Sequence, residues 1–132
     1  MVCRFAPRTG SLSVPRFVVL EHDSPRGLHW DFMLEQGSSL ATWALPREPA
    51  AGRPIHAEAL PDHRLEYLDY EGPISGNRGT VRRWDAGEYR MQRQSEAEWV
   101  VWLAGGKLSG RAVLRRIDDA ATKWEFSYCL KL

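Results

Sequence analysis

The sequence lacks the features that mark membrane, secreted and disulfide-rich proteins. Its 132 residues include no apolar run near the roughly 20 residues that cross a bilayer. The N-terminal segment has no apolar stretch of the kind that directs secretion. The two cysteines, Cys3 and Cys129, lie near opposite ends and form no CxxC motif, so we expect reduced structural thiols. These absences predict a cytoplasmic protein with no membrane partner.

An excess of charge of one sign is absent as well. The formal net charge is +1, so no global positive field attracts nucleic acid. Lysine is scarce, with 3 residues against 15 arginines. Codon usage in a genome rich in G and C would produce this bias, although guanidinium is also the better fork for phosphate oxygens.

The overall composition is that of an ordinary globular protein. Hydrophobic residues make up 43% of the chain and charged residues 27%, which argues against a coiled coil and wholesale disorder. We expect one domain over residues 15–132, because this length can bury a core without disulfide or metal staples. A flexible leader, rich in Ser, Arg, Gly and Pro, is predicted for residues 1–14.

Alternation of apolar and polar residues is what the chain has in abundance. In the segment LHWDFMLEQ, one strand face carries His29, Asp31 and Met33. The opposite face is apolar and is expected to be buried, and it consists of Trp30, Phe32 and Leu34. The segment KWEFSYCL near the end of the chain alternates in the same way, so we expect its aromatic residues to pack toward the core.

Turn residues separate many short segments of this kind, which predicts an all-β sandwich or small barrel. We expect a small β-barrel of about seven or eight mostly antiparallel strands, with one or two short helical segments. The predicted strands cover residues 16–21, 28–35, 40–45, 55–60, the two sides of a turn at Asp85–Gly87, 95–103, 108–117 and 123–130.

Proline and glycine interrupt this pattern in two places. We interpret residues 46–54 as a loop that contains at most a short helical turn. Residues 61–79 are interpreted as a long functional loop with a short ordered piece around residues 64–70. Gly110 is interpreted as the site of a β-bulge.

All four histidines fall between residues 22 and 63, which favours a single site. His29 and Asp31 are two apart on one strand and point to the same side, and a hairpin would bring His22 beside them. Two imidazoles and one carboxylate suit Mn²⁺, Fe²⁺ or Zn²⁺ and leave coordination positions open. The spacing alone is a weak signal, so surface and loop histidines are the alternative interpretation.

His63 and Tyr67, in the segment PDHRLEY, are a second candidate pair, because four residues apart they would share a helical turn or a strand face. A histidine can donate a hydrogen bond or a proton to phosphate, and a tyrosine hydroxyl can orient an oxygen. Ordinary loop polarity is the alternative interpretation of this pair.

Arginines concentrate in two stretches, residues 78–93 and 107–116. Each stretch contains two adjacent arginines, and on a strand one of the two would line a phosphate-binding groove while the other faces away. A solvated face is the alternative. Most of the six tryptophans are predicted to lie in the core, but one that is exposed beside arginines would stack a nucleic-acid base.

Four blocks of sequence, in order, resemble the 3′-phosphoesterase domain of the bacterial DNA ligase D family. The blocks are RFVVLEHDSPRGLHWDFMLE, ATWALPREP, DHRLEYLDYEGPISGNRGTVRRWDAGEY and GKLSGRAVLRRI. The resemblance runs from about residue 16 to the end of the chain. Several blocks that match in one order are a more specific signal than any one of them.

The resemblance implies a small β-barrel with a polar groove, a bound Mn²⁺, and removal of a 3′-terminal phosphate or ribonucleoside from DNA ends in end-joining repair. Zn²⁺ or another divalent metal is the alternative to Mn²⁺. Residue by residue, the metal ligands of the family match His22, His29 and Asp31, and its groove residues near the scissile phosphate match His63 and Tyr67. The implied partners are DNA or RNA–DNA 3′ ends and an ATP-dependent DNA ligase or repair polymerase. We expect a monomer associated with the nucleoid of a bacterium.

Other positions fit the family pattern less well. Arg53 matches a phosphate-binding arginine, but two extra residues separate it from His63. Met33 occupies a position where the family has an arginine, and a thioether cannot donate hydrogen bonds to phosphate. The loop between His22 and His29 is one residue longer than the pattern, and Arg26 within it is a candidate substitute. We therefore expect reduced activity, and expect Met33→Arg to raise it by at least about tenfold.

Three functions follow from these residues. The first is a metal-dependent phosphoesterase that acts on nucleic-acid 3′ ends, favoured by the intact set of His22, His29 and Asp31. The second is a non-catalytic module of the same fold that binds nucleic-acid ends or phosphate, favoured by Met33. The third is a small metal-binding barrel that acts on a non-nucleic phosphate, which the low net charge permits.

Overall fold

The computed structural model of the chain describes residues 14–130. The leader predicted at residues 1–14 lies outside this range except for Val14, and Cys3 lies outside it as well. Cys129 is a free and exposed thiol. In the described part of the chain no helix is long and apolar enough to cross a membrane.

Nine antiparallel strands form one sheet in the described residues. They are β1 (Arg16–Ser24), β2 (Gly27–Gln36), β3 (Ser39–Leu45), β4 (Ile55–Arg64), β5 (Gly72–Pro73), β6 (Thr80–Gln94), β7 (Glu98–Gly105), β8 (Ser109–Arg116) and β9 (Lys123–Leu130). A 3-10 helix at Leu65–Leu68 follows β4.

The sheet closes into a barrel. Its strands pair in the order β1, β2, β3, β4, β9, β8, β7, β6, and β6 pairs with β1 to complete the ring. The two-residue strand β5 pairs with the start of β6 outside this ring. Within residues 14–130, closure leaves no long unpaired edge strand, which is the usual way for a small antiparallel sheet to avoid aggregation. The prediction of an all-β barrel with a short helical segment is confirmed.

Apolar side chains fill the barrel interior, and the alternation of β2 and β9 explains why. The face of β2 that was predicted to be apolar is buried, as is the aromatic face of β9. Phe32 of β2 and Phe126 of β9 meet edge to face, with ring centroids 5.2 Å apart. Because these residues point inward, the polar face of β2 lies on the outer wall.

A second and smaller apolar cluster covers part of that outer wall. It consists of Val18, Leu20, Met33, Leu40, Leu68 and Val81. The 3-10 helix contributes Leu68 to it, and Ile74 in the segment after the helix packs against it. The segment from β4 to β6 therefore lies over the outer wall beside the polar face of β2.

Strand β6 contradicts the predicted turn at Asp85–Gly87, because it runs through these residues without interruption. The Asp85 carboxylate accepts hydrogen bonds from the backbone N–H groups of residues 106–108, at 2.9, 3.0 and 2.8 Å. At Gly87 a Cβ atom would lie 2.1 Å from the carbonyl oxygen of Ala104. Both residues serve contacts with β7 and the turn after it, and neither makes a turn of its own.

Of three other local predictions, the first is wrong, the second is confirmed and the third is incomplete. Strand β8 pairs with both neighbours without a register shift at Gly110, so no bulge occurs there. Residues 46–54 form a loop with no helical turn. The predicted long loop at 61–79 holds more regular structure than expected, because it includes the end of β4, the 3-10 helix and β5.

Candidate functional site

The hairpin of β1 and β2 brings the three predicted metal ligands together. Pro25 and Arg26 form a two-residue turn between the strands, and the resulting register places His22 directly opposite His29. The two imidazole rings lie 4.5 Å apart between centroids. Asp31 follows two residues after His29, so its side chain lies on the same outer face.

The donor atoms of the three side chains converge. Nδ1 of His22 lies 3.1 Å from Oδ2 of Asp31, and Nε2 of His29 lies 3.1 Å from Oδ1. One potential ligand atom from each residue falls within 4.8 Å of the others. Each histidine therefore faces a different oxygen of one carboxylate, which is a compact set of three donors.

The hydrogen bonding of His22 favours a cation in this set. Its Nε2 lies 2.8 Å from the backbone carbonyl oxygen of Arg78, which can only accept, so Nε2 carries the proton. In the neutral ring Nδ1 then presents a lone pair to an oxygen of Asp31. Two acceptors at 3.1 Å need a proton or a metal cation between them. When Nδ1 is protonated it donates to Asp31, and this hydrogen bond raises the pKa of His22 although burial lowers it.

Asp31 is an unusual carboxylate for an outer wall, because it is only 3% exposed. Burial alone would raise its pKa, but the contacts with His22 and His29 outweigh burial and hold the pKa below its usual value. Its Oδ1 atom is buried without a hydrogen-bond partner among the described residues, since the contact with His29 is not aligned as a hydrogen bond. A buried, unpartnered carboxylate oxygen between two imidazoles fits a divalent cation.

An open groove of about 670 Å³ runs past this set of donors. All four histidines of the chain line it, which agrees with the expectation of a single site. Apolar residues of β3 and β4, among them Leu45, Ala57 and Leu60, form part of its wall. The groove therefore offers imidazoles and a carboxylate on one side and apolar surface on the other.

His63 and Tyr67 lie next to each other, as predicted. Strand β4 bulges at Pro61 and Asp62, where the pairing with β3 shifts register, and the bulge sets the direction of His63. The rings of His63 and Tyr67 meet edge to face with centroids 5.8 Å apart. Both residues line a second cavity of about 280 Å³ that also reaches Asp31.

The structure separates the candidate arginines. Arg53 is exposed in the loop before β4 and is not among the residues that line either cavity, so the structure does not bring it to the other site residues. Arg26 lines the main groove from the hairpin turn. Arg78 lines both cavities, and the sequence alone did not single it out among the arginines of residues 78–93.

Arg78 is held in place by its own loop. Its Nε donates to the carbonyl oxygen of Ser75 at 2.7 Å, and its Nη2 donates to the Ser75 hydroxyl at 3.3 Å. Gly79 lets the loop approach the hairpin, because a Cβ atom there would lie 2.0 Å from the carbonyl oxygen of Asp23 and its φ is +94°. This close approach positions the Arg78 carbonyl that binds His22.

Met33 lines the second cavity, but only 1% of it is exposed. Its side chain belongs to the apolar cluster on the outer wall, where it packs with residues such as Leu20 and Val81. A guanidinium at this position would have to leave or disrupt that cluster. Burial at position 33 could not be read from the strand pattern, which indicated only the face.

Comparisons with known proteins point to one family. The sequence model described as the DNA Ligase D 3′-phosphoesterase domain matches residues 20–116. A multifunctional non-homologous end joining DNA repair protein LigD of Mycobacterium tuberculosis is 36% identical over 111 residues, which cover 77% of this chain and 14% of that protein. The LigD protein of Pseudomonas aeruginosa is 35% identical over 122 residues, 85% of this chain and 14% of its own length. The chain thus spans about one seventh of the length of these relatives.

Proposed function

The chain belongs to the DNA ligase D 3′-phosphoesterase domain family, and from this membership we propose that it removes a 3′-terminal phosphate or ribonucleoside from DNA ends. The observation that carries the proposal is the convergence of His22, His29 and Asp31 beside a groove whose other polar residues suit a phosphate. The proposed setting is end-joining repair, which is the process named for the relatives.

His22, His29 and Asp31 would hold a divalent cation, and Mn²⁺ is the proposed ion. Two nitrogen donors and one oxygen donor are compatible with Mn²⁺ and Zn²⁺ and leave positions open. When bound, the ion would act as a Lewis acid that stabilises developing charge on the phosphoryl group. The chain itself orients this set through the Arg78 carbonyl, which fixes the ring of His22.

His63 is proposed as the acid or hydrogen-bond donor to the leaving oxygen. Its Nδ1 lies 2.9 Å from the carbonyl oxygen of Pro61, which only accepts, so Nδ1 carries a proton and Nε2 is the atom left for substrate. Protonated His63 would donate from Nε2, and neutral His63 would accept there. Tyr67 packs edge-on against the ring and limits its rotation.

Arg78 and Arg26 are proposed to bind the phosphate oxygens. Neither forms an ion pair with a carboxylate in the described part of the chain. Ser75 engages Nε and one Nη2 hydrogen of Arg78, which leaves three N–H donors of its guanidinium for a ligand. Both arginines line the groove from the side of the hairpin and its covering loop, so they would supply the charge that Met33 does not.

The apolar part of the groove bears on the kind of substrate. Ala44, Pro46 and Leu60 line the groove and are not buried, so they present surface that a sugar or a base can cover, whereas a small inorganic ester would leave it exposed. With a net charge of only +1, attraction to DNA would have to come from such local contacts and not from a global field. These features favour a nucleic-acid 3′ end over a small phosphate ester.

The test combines Mn²⁺ binding, measured by calorimetry, with cleavage of a primer-template that ends in a 3′ phosphate or a single ribonucleotide. Asp31→Asn should lose high-affinity binding and reduce the rate by at least about 10³-fold. Asp23→Asn is the matched control, since Asp23 is an exposed carboxylate near the end of the neighbouring strand β1 and does not line the groove. Undiminished Mn²⁺ binding by Asp31→Asn would show that the ligands lie elsewhere.

A non-catalytic module that binds nucleic-acid ends is the second candidate function. Met33 favours it, because a buried thioether replaces the arginine that the family resemblance leads us to expect. In that case the wild-type protein would bind Mn²⁺ and an oligonucleotide with a 3′ phosphate but would not convert it. Measurable turnover that Asp31→Asn abolishes would exclude this candidate.

A further inference from the structure

A row of three side chains on the far side of the barrel is not used by the groove. Backbone pairing sets Arg90 of β6 opposite Trp102 of β7, and Trp102 opposite Arg111 of β8. All three alternate with inward-facing residues, so they lie together on the outer face. Strands β6, β7 and β8 are two, three and four strands from β2 around the ring, and none of the three residues lines the groove. We call these residues the Arg90–Trp102–Arg111 row.

Among the described strands, Trp102 is an exposed tryptophan that has an arginine on each neighbouring strand. It is 41% exposed, whereas Trp43, Trp124 and Trp30 are 9% exposed or less. Its indole N–H donates to the side-chain oxygen of Gln92 at 2.7 Å, so the ring is held in one orientation against the wall. An exposed and oriented indole face is a platform on which a planar group can stack.

The two flanking arginines are not neutralised. Arg90 and Arg111 are exposed and form no ion pair with a carboxylate of the described chain. Their neighbours on the same outer face behave differently. Arg93 pairs with Glu98 at 3.3 Å, and Arg115 pairs with Glu125 at 3.0 Å.

We propose that the Arg90–Trp102–Arg111 row binds single-stranded nucleic acid, with a base stacked on Trp102 and backbone phosphates on the two arginines. Adjacent strands of a sheet are about 4.8 Å apart, so the side chains of Arg90 and Arg111 lie on either side of the Trp102 indole. This arrangement of a stacking face between unpaired cations suits a polyanion that carries planar bases. The row lies outside the groove, so the inference goes beyond the function proposed for the groove and does not depend on it.

The test measures binding of a closed circle of thymidine nucleotides by fluorescence anisotropy, with the full chain and with EDTA present. A circle has no 3′ end and EDTA removes divalent ions, so the reaction proposed for the groove cannot occur, and the variants of the row report binding outside the groove. Trp102→Leu should weaken binding at least about fivefold, because it keeps apolar cover but loses the indole face. Trp102→Phe should restore part of the affinity.

The charge contribution is tested with two double variants of equal net charge. Arg90→Gln/Arg111→Gln should weaken binding and lower the slope of log affinity against log salt by about 1.4, because two phosphate contacts are lost. Arg93→Gln/Arg115→Gln is the matched control on the same face, and it should change the slope by less than half as much. Circular dichroism and the Tm of each variant verify that the barrel is intact.

Three outcomes would overturn the proposal. One is the absence of binding by wild type at low salt. Another is equal weakening by the two double variants, which would indicate a general effect of net charge. The third is a combination of two results: Trp102→Leu binds as well as wild type, and polyglutamate competes for binding as effectively as the unlabelled oligonucleotide. That combination would assign the row to an acidic protein segment. Loss of 3′-end cleavage without loss of circle binding would count against the groove proposal alone.

Discussion

The inner and outer faces of β2 illustrate two different uses of the same strand. On the inner face, Phe32 is fully buried and packs against the aromatic rings of the core cluster. Outward, Asp31 is almost as buried at 3% exposure, but its surroundings are two imidazoles and a groove. Phe32 and Asp31 are almost equally buried, but Phe32 makes apolar contacts whereas Asp31 lies among groups that can bind a cation.

The comparison teaches that depth alone does not identify the role of a residue in this barrel. Dispersion and hydrophobic contacts reward the burial of Phe32. The burial of Asp31 costs free energy unless a positive charge compensates it, and its Oδ1 atom has no hydrogen-bond partner in the described structure. His22 and His29 supply that compensation, since their contacts hold the pKa of Asp31 below its usual value, so its burial depends on side chains of the groove and not on the apolar core.

The largest effect on stability is expected from a substitution on the inner face of β2. Phe32→Ala should lower the free energy of unfolding by about 3–5 kcal/mol, because it leaves a cavity among packed rings. Urea denaturation followed by fluorescence measures the change, and Mn²⁺ affinity of the remaining folded protein should be unaltered. Asp31→Asn, one residue away on the other face, is the matched variant and should change stability by far less. Equal destabilisation by both variants would remove the proposed division between the faces.

The next effect concerns Arg78, which lies in the loop between β5 and β6. Arg78→Gln should lower the rate of the proposed 3′-end cleavage about 100-fold, equivalent to about 2.7 kcal/mol, because the donor proposed for the phosphate is lost. Stability should stay nearly constant, since the side chain is exposed. Arg82→Gln serves as the control, because Arg82 is exposed and paired with Glu21 at 3.3 Å. If the two variants cleave at the same rate, Arg78 does not contact the substrate.

Met33 lines the second cavity and also belongs to the apolar cluster on the outer wall, so its substitution tests which of the two surroundings dominates. From its burial we expect Met33→Arg to lower the free energy of unfolding by at least about 2 kcal/mol, because a charge would enter an apolar cluster. Met33→Leu, which keeps volume and polarity, should cost less than about 1.5 kcal/mol. The family pattern predicted instead that Met33→Arg raises activity. A variant that is both stable and more active would show that the new side chain reaches the groove, and the structural expectation would then be wrong.

The last prediction tests how the loop before β6 positions His22. Gly79→Ala should cost at least about 2 kcal/mol, since φ is +94° and the new Cβ atom would also lie 2.0 Å from the carbonyl oxygen of Asp23. It should also weaken Mn²⁺ binding, because the Arg78 carbonyl would move away from His22. Gly37→Ala has a comparable φ of +61° but open space around it, so its cost of about 1 kcal/mol should leave Mn²⁺ affinity unchanged. An identical Mn²⁺ affinity in Gly79→Ala would contradict the positioning role.

Much of this architecture was accessible from the sequence, because period-two alternation identifies a strand and its buried face. The inward residues of β2 and β9 followed directly from it. The convergence of His22 with His29 and Asp31 also followed, once a tight hairpin was assumed. The pairing of His63 with Tyr67 needed only a spacing of four residues, although the bulge that directs His63 was not foreseen.

The sequence by itself determined the strands, their faces and the residue types available for chemistry, because these depend on local alternation and turn propensity. The tertiary structure alone decided which distant groups meet. Asp85 and Gly87 have the composition of a turn, yet β6 continues through them, since one accepts backbone N–H groups of residues 106–108 and the other allows the approach of Ala104. Arg78 likewise reaches the site only because the chain returns over the hairpin, and such long-range contacts leave no periodic signal in the sequence.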